Sequence, residues 1–275
     1  MPERRPFFGR GSTRRLVSPD QSELTAALSE TAWGHPVEFH AQISSTNARA
    51  KAWARSGAAE GALVVADHQT EGRGRFGRSW EAEAGSALLF SVVLRPQIEP
   101  AKAALIALMA AAAVREAVAE RAGVDAAIKW PNDVLVGGKK LCGVLAESWL
   151  EGGQLAAVIA GIGVNVNQKA FATDRATSLF CLTGAPCPRF ALLGDILTGM
   201  HRRYQALVSG DSSALLAECR QCSATLGQEV VLRAGSTTVR GRAVDIDSDG
   251  RLVLDTADGL VRALAGEVST AEEMV

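Results

Sequence analysis

The chain has 275 residues, 47% hydrophobic and 21% charged, with a net charge of −1. Those proportions fit one large globular domain, or a large one and a small one. They exclude wholesale disorder and a chain-wide polybasic nucleic-acid binder. The longest apolar run, 103–114, falls short of the ~20 residues that a bilayer span needs. No apolar segment follows the N-terminal arginines, so no secretory signal is expected. Five scattered cysteines do not form a disulfide framework and point to a reducing cytoplasm.

Residues 1–20 carry five arginines and no regular period, so a flexible tail is expected. A short helix is expected over 21–31. Val37, Phe39, Ala41 and Ile43 then alternate with Glu38, His40 and Gln42, the period of a half-buried strand. Ser44, Ser45 and Thr46 precede a helix over 47–56, where a hydroxyl can cap the orphan N–H groups. Strands are expected over 62–66 and 87–94, with a Gly/Arg loop over 72–78 between them. Pro100 opens a long helix to about 121. A strand over 127–130 stops at Pro131. Segments 134–136 and 141–148 flank Gly137-Gly138, a hairpin turn, and a strand over 155–166 follows. This is a mixed, largely antiparallel sheet with packed helices, an α+β pattern. Two helices fit 191–208 and 213–226. After Gly227, short β segments (228–233, 237–246, 251–255, 260–264) alternate with Gly and Asp-Gly turns, the texture of a small β-barrel.

Two segments carry chemistry. Gly72-Arg73-Gly74-Arg75-Phe76-Gly77-Arg78 satisfies G-x-G-x-x-G. A dinucleotide site needs a helix opening at the third glycine, whereas Ser79-Trp80-Glu81 leads through Gly85 into a strand. The glycines still let backbone approach a ligand, and the arginines offer donor forks for carboxylate or phosphate. Together they describe a mobile anion clamp. Trp80 beside it could stack on a planar base or pack into the core. The second segment is Lys129-Trp130-Pro131-Asn132-Asp133 with Lys139-Lys140-Leu141-Cys142-Gly143. The chain has only six lysines, and three lie between 129 and 140. A lysine on a strand beside Asp133 can neutralise charge on a phosphoryl or carboxyl oxygen. Lys139 and Lys140 point to opposite faces of a regular strand, and spacing does not say which faces the site. Cys219-x-x-Cys222 fits either helix packing or zinc with two further ligands. The four histidines form no recognisable metal or triad spacing.

These segments resemble the biotin–protein ligase family. The resemblance is carried by Ser45-Thr46-Asn47, by 67–71 running into 72–80, by Lys129 to Asp133, by Lys140 to Gly143, and by Gly161-Ile162-Gly163-Val164-Asn165. It implies a mixed-sheet catalytic domain related to class II aminoacyl-tRNA synthetases, plus a small C-terminal SH3-like barrel. The implied domains are an N-terminal extension over 1–34, a biotin- and ATP-binding catalytic domain over 35–226, and the SH3-like domain over 227–275. The implied reaction forms biotinyl-5'-AMP from biotin and ATP, then transfers biotin to a lysine of a biotin carboxyl carrier protein of acetyl-CoA carboxylase. By resemblance, Ser45, Thr46, Asn47 and Gln69 hold the ureido ring. Gly72, Arg73, Gly74 and Arg75 belong to the loop that orders over biotin and its adenylate, and Gly143 borders biotin. Lys140 bridges the carboxylate and the α-phosphate. Trp80, Asn132 and Asn165 line the adenine pocket, and Arg78 and Lys129 add charge to the nucleotide site. Asp133 supports either Lys140 or a magnesium ion that enters with ATP. No protein-only metal site is implied. Only about 36 residues precede the first strand, too few for the winged helix-turn-helix of some members, so DNA is not an expected partner. No membrane partner is expected either, and a homodimer is left open. Two other classes compete: an adenylating ligase for lipoate or octanoate, and a non-catalytic biotin-binding regulator. Arg75 and Lys140 argue against the second.

Overall fold

Alternation and length place seven strands in one sheet: β1 (Val37–His40), β2 (Leu63–Ala66), β3 (Ala87–Leu94), β4 (Ala127–Lys129), β5 (Asp133–Val136), β6 (Lys139–Glu151) and β7 (Gln154–Asn165). Their spatial order is β1-β2-β3-β7-β6-β5-β4. Only β1 and β2 run parallel. The structure is a computed structural model of the chain and describes residues 19–270, with side chains from 21 onward. The expected flexible tail over 1–20 lies outside the described residues, except that Pro19 and Asp20 already open the first helix.

Among the described residues, six helices flank the sheet: α1 (Pro19–Leu28), α2 (Thr46–Arg55), α3 (Ala104–Ala122), α4 (Leu179–Thr183), α5 (Arg189–Val208) and α6 (Ser213–Gln221). Burial decides where each lies. α3 is apolar all round over 104–114, so it lies between the sheet and α5 with eleven buried side chains. Leu63, Val65, Leu88, Phe90 and Val92 point from the sheet into that layer. α2 offers the buried Ala50 and Ala54 and the half-buried Trp53, and packs on Val64, Val93 and Ile159 of the opposite face. α2 covers only part of that face. The uncovered remainder is the floor of the site.

The expected helix over 213–226 ends at Gln221. Tertiary pairing overrides the pattern there. Ile128 N–H donates to Cys222 O and Ala224 N–H donates to Ile128 O, so residues 222–224 run alongside β4. α4 was not expected; Ser178 caps it by accepting from Cys181 N–H.

The C-terminal barrel has β8 (Glu229–Ala234), β9 (Thr237–Ile246), β10 (Leu252–Thr256), β11 (Gly259–Ala263) and β12 (Glu267–Thr270), in the order β11-β10-β9-β8-β12. β12 was not foreseen. Trp130, 1% exposed, joins the two bodies. Its indole N–H donates to Gly250 O at 2.9 Å, and its backbone N–H donates to Thr225 Oγ1 at 3.0 Å. Gly250 also lies against Leu105 and Leu108 of α3. Among the described residues, no helix is long and apolar enough to cross a membrane.

Candidate active site

A cavity of about 620 Å³ opens on the uncovered sheet face, between the N-terminus of α2, the 72–80 loop, β6 and the start of β12. Its two ends differ in chemistry. The α2 end is neutral and polar, lined by Ser45, Thr46, Asn47 and Gln69. Seven basic side chains line the remainder against three acidic ones, Asp133, Asp174 and Glu267. On a chain of net charge −1 that excess marks an anion site.

Ser45 caps α2, accepting from Ala48 N–H at 3.4 Å. Thr46 N–H donates to Gln69 Oε1 at 2.8 Å, which ties the helix to the loop after β2. The floor needs glycine. A Cβ on Gly161 would lie 2.0 Å from Asn47 Oδ1, and one on Gly163 would lie 2.6 Å from the Trp80 ring. Trp80 rests on Gly163 and Gly143, with its indole nitrogen buried and unpartnered.

The 72–80 loop is a small hairpin. Trp80 N–H donates to Gly72 O, Gly74 N–H donates to Arg78 O, and Arg73 pairs with Ser79. A Cβ on Gly72 would lie 2.3 Å from Trp80 O, so Gly72 serves the hairpin and does not line the cavity. Phe76 at the tip has φ 57 and is 60% exposed, a backbone state that non-glycine residues seldom adopt. Arg75 turns inward and donates to Asn132 Oδ1 at 3.0 Å. Burial pulls its guanidinium below the ordinary value, and Asp133 and Glu267 partly offset that. Arg73 is largely exposed at the mouth, 3.8 Å from Glu71. Arg78 pairs with Glu267 of β12, so the barrel holds the loop from outside.

A bulge resolves the choice between the two hairpin lysines. Asp133 pairs with Gly143 and Val134 with Cys142, but Leu135 pairs with Lys140, which leaves Leu141 as an extra residue. Lys140 therefore shares a face with Gly143, and a Cβ there would lie 3.0 Å from Lys140 Cε. Lys140 Nζ lies 2.8 Å from Asp133 Oδ1, near enough to pair as charges but out of line for a hydrogen bond, and 5.6 Å from the Trp80 ring centroid. Lys139 is exposed. Lys129 and Asn132 both line the cavity. Asn132 is braced by its amide N–H to Val144 O. Asn165 lies behind the wall, its amide 3.3 Å from Lys140 O, and does not line the cavity. Burial raises the Cys142 thiol, so it is no nucleophile. Cys219 is buried in α6 and Cys222 ends that helix; both are free. Among the described residues, no group of three or more His, Cys, Asp or Glu could hold a metal.

Ser91, Glu147 and Glu267, with Asp174 and Arg175 of the cavity wall, were not singled out from sequence. Ser91 is the one polar residue in β3, ALLFSVVL, and that isolation was a readable sign of a buried polar contact. Glu147 and Glu267 carried no local sign, because each acts on a segment about a hundred or more residues away.

A glycine floor, an arginine hairpin over it and a cationic wall define an enzyme-like site for carboxylate or phosphate groups. Comparison with known proteins narrows the class. Residues 39–165 match the Biotin/lipoate A/B protein ligase family, and 225–270 match the Biotin protein ligase C terminal domain. The chain is 39% identical over 235 residues to the biotin--[acetyl-CoA-carboxylase] ligase of Mycobacterium tuberculosis, covering 83% of this chain and 86% of that one. It is 34% identical over 253 residues to the bifunctional ligase/repressor BirA of Bacillus subtilis, covering 90% and 78%. The structure superposes on biotin protein ligase from Aquifex aeolicus in complex with biotin and ATP with TM-score 0.73 and 30% identity, covering 85% and 97%. The chain belongs to the biotin protein ligase family.

Proposed function

We propose that the chain activates biotin with ATP and transfers it to a lysine of a biotin carboxyl carrier protein, with acetyl-CoA carboxylase as the source of that carrier. The observation that carries this reading is the two-ended cavity. Biotin has a neutral head rich in hydrogen-bonding groups and an anionic tail. The neutral end at Ser45, Thr46 and Gln69 suits the head, and Lys140 with Arg75 suits the tail.

In the first step a biotin carboxylate oxygen attacks the α-phosphorus of ATP. A C–O–P bond forms, the bond to the β-phosphate oxygen breaks, and pyrophosphate leaves with the electron pair. Both reactants are anions, so the protein must bring positive charge to the place where they meet. Lys140 supplies it between carboxylate and α-phosphate. Asp133 holds Lys140 forward, and Arg75, braced by Asn132, adds a second cation. Trp80 offers a flat face to the adenine side. Asn165 acts through Lys140, whose carbonyl it holds. In the second step the carrier lysine amine attacks the acyl carbon, loses a proton, and AMP leaves. The arginine hairpin shields the mixed anhydride from water between steps.

Asp133 beside Lys140 fits magnesium brought in by ATP: it would supply a protein oxygen, and the ion would screen phosphate charge. The family matches support the division into 35–226 and 227–275, with 1–34 as an extension. Free thiols suit a cytoplasmic setting.

The test is transfer. Labelled biotin, ATP and a purified carrier domain are incubated with the protein. Label is expected on the carrier and absent from a variant whose acceptor lysine is arginine. Adenylate without transfer to any carrier domain would contradict the second step.

A further inference from the structure

Phe76 stands in an unfavourable place on its hairpin. Residues 75–78 form the turn, which Arg78 N–H closes by donating to Arg75 O. Phe76 has φ 57 and ψ 31, and Gly77 has φ 74. Two left-handed residues in a row make a type I′ turn, whose first central position favours asparagine, aspartate or glycine. Among the described residues, Phe76 is the one non-glycine residue at positive φ. It is also 60% exposed, so burial of its ring offsets little of the backbone cost. What the ring does touch is Arg75. The Arg75 guanidinium carbon lies 4.9 Å from the ring centroid, within reach of a cation–π contact. Neighbours on an extended strand point to opposite sides, and the left-handed turn lets the ring fold back onto the side chain before it. Arg75 is thereby held twice. Its Nη1 donates to Asn132 Oδ1 at 3.0 Å, and Asn132 is itself anchored to Val144 O of β6. The Phe76 ring, exposed and lining the same cavity, covers it from the solvent side.

We propose that Phe76 is a positioning residue: its ring keeps the Arg75 guanidinium turned inward against Asn132, and so lengthens the stay of the adenylate behind the hairpin. A long arginine side chain on a hairpin ordinarily carries its charge out to water. Arg73 and Arg78 of the same hairpin do so, and both are largely exposed. One hydrogen bond to a neutral amide oxygen is a weak hold against that tendency. The aromatic face adds a second hold that uses none of the guanidinium N–H groups. The donors not taken by Asn132 are left for carboxylate or phosphate. The inference rests on the biotin reading, which supplies the adenylate.

Four variants separate the ring from the backbone. Phe76→Tyr keeps the aromatic face. Phe76→Leu keeps an apolar side chain and the backbone cost, without the face. Phe76→Asn and Phe76→Gly remove the face but suit the turn. Biotinyl-AMP is formed on each protein from labelled biotin and ATP, excess label is removed, and release of the adenylate is timed by rapid filtration. Thermal melts are run beside it. Phe76→Tyr should release at the wild-type rate. Phe76→Leu, Phe76→Asn and Phe76→Gly should release about two- to fivefold faster, the worth of a cation–π contact at an exposed site. Phe76→Asn and Phe76→Gly should nonetheless melt at or above wild type, because the turn is relieved. Faster release from a protein no less stable is a pairing that a merely loosened hairpin does not give. A second readout needs no ligand. The Arg75 side-chain protons, assigned by their loss in Arg75→Lys, should be shifted by the ring current in wild type and Phe76→Tyr, and unshifted in Phe76→Leu. Equal release from wild type and Phe76→Leu overturns the proposal. So does faster release confined to variants that melt lower, or an Arg75 signal that Phe76→Leu does not move. No adenylate from biotin and ATP on folded wild type overturns the biotin reading, and with it the retention half of the proposal; the Arg75 signal still decides the stacking.

Discussion

Lys140 reaches Asp133 because Leu141 is an extra residue in the β5–β6 ladder. The alternation of a regular strand does not reveal such a bulge, and so the sequence left Lys139 and Lys140 undecided. The same limit hid Glu147, whose partner Asn47 comes from another element. The motif residues themselves were legible, because glycine, arginine and lysine at those spacings have few other uses together. Lys140 is half exposed and braces no core, so Lys140→Ala should melt within a few degrees of wild type while adenylate formation falls by roughly 10²–10³, the loss typical of a removed transition-state charge. Normal turnover by that variant would remove Lys140 from the reaction. Arg75→Gly removes the inward cation and its brace on Asn132. Biotinyl-AMP should then appear in the filtrate of a rapid filtration assay. Retention equal to wild type would count against the hairpin as a shield.

At the scale of elements, the two helical layers differ in how they are held. α2 is pinned at its N-terminus by Ser45 and Gln69. α3, α5 and α6 share an ionic knot: Glu116 takes Arg202 and Arg203, and Arg203 also takes Glu218. Burial opposes ionisation of Glu116, but the hydrogen bonds from Arg202 and Arg203 outweigh it and hold the carboxyl below its ordinary value of 4.5. A carboxyl lowered on folding adds stability above its unfolded value, and that stability is lost as pH falls through the folded value. Glu116→Gln should therefore cost about 1–3 kcal/mol at neutral pH, and the cost should shrink as pH drops below 4.5. Thermal melts of both proteins across pH check this; a gap independent of pH would contradict it. Five of the six described helices were legible in the sequence; the short α4 was not. The end of α6 was not, because the pairing of residues 222–224 with β4 is tertiary.

For the whole molecule, the turn-rich texture after Gly227 announced a barrel, but not that its last strand would border the cavity. Glu267 and its neighbours border the site where Trp130 helps to fasten the barrel to the sheet. Trp130→Phe deletes the indole N–H and leaves Gly250 O without its donor. It should cost about 1–3 kcal/mol and raise the KM for ATP. An unchanged KM would mean that the barrel's position does not matter to the nucleotide. On the proposed function, this cavity joins biotin to the α-phosphate of ATP. Its most direct test is biotin-dependent exchange of labelled pyrophosphate into ATP by the purified protein, with lipoate in a parallel tube. Exchange with biotin and none with lipoate is the predicted result. No exchange with biotin from folded protein, or equal exchange with lipoate, would contradict it.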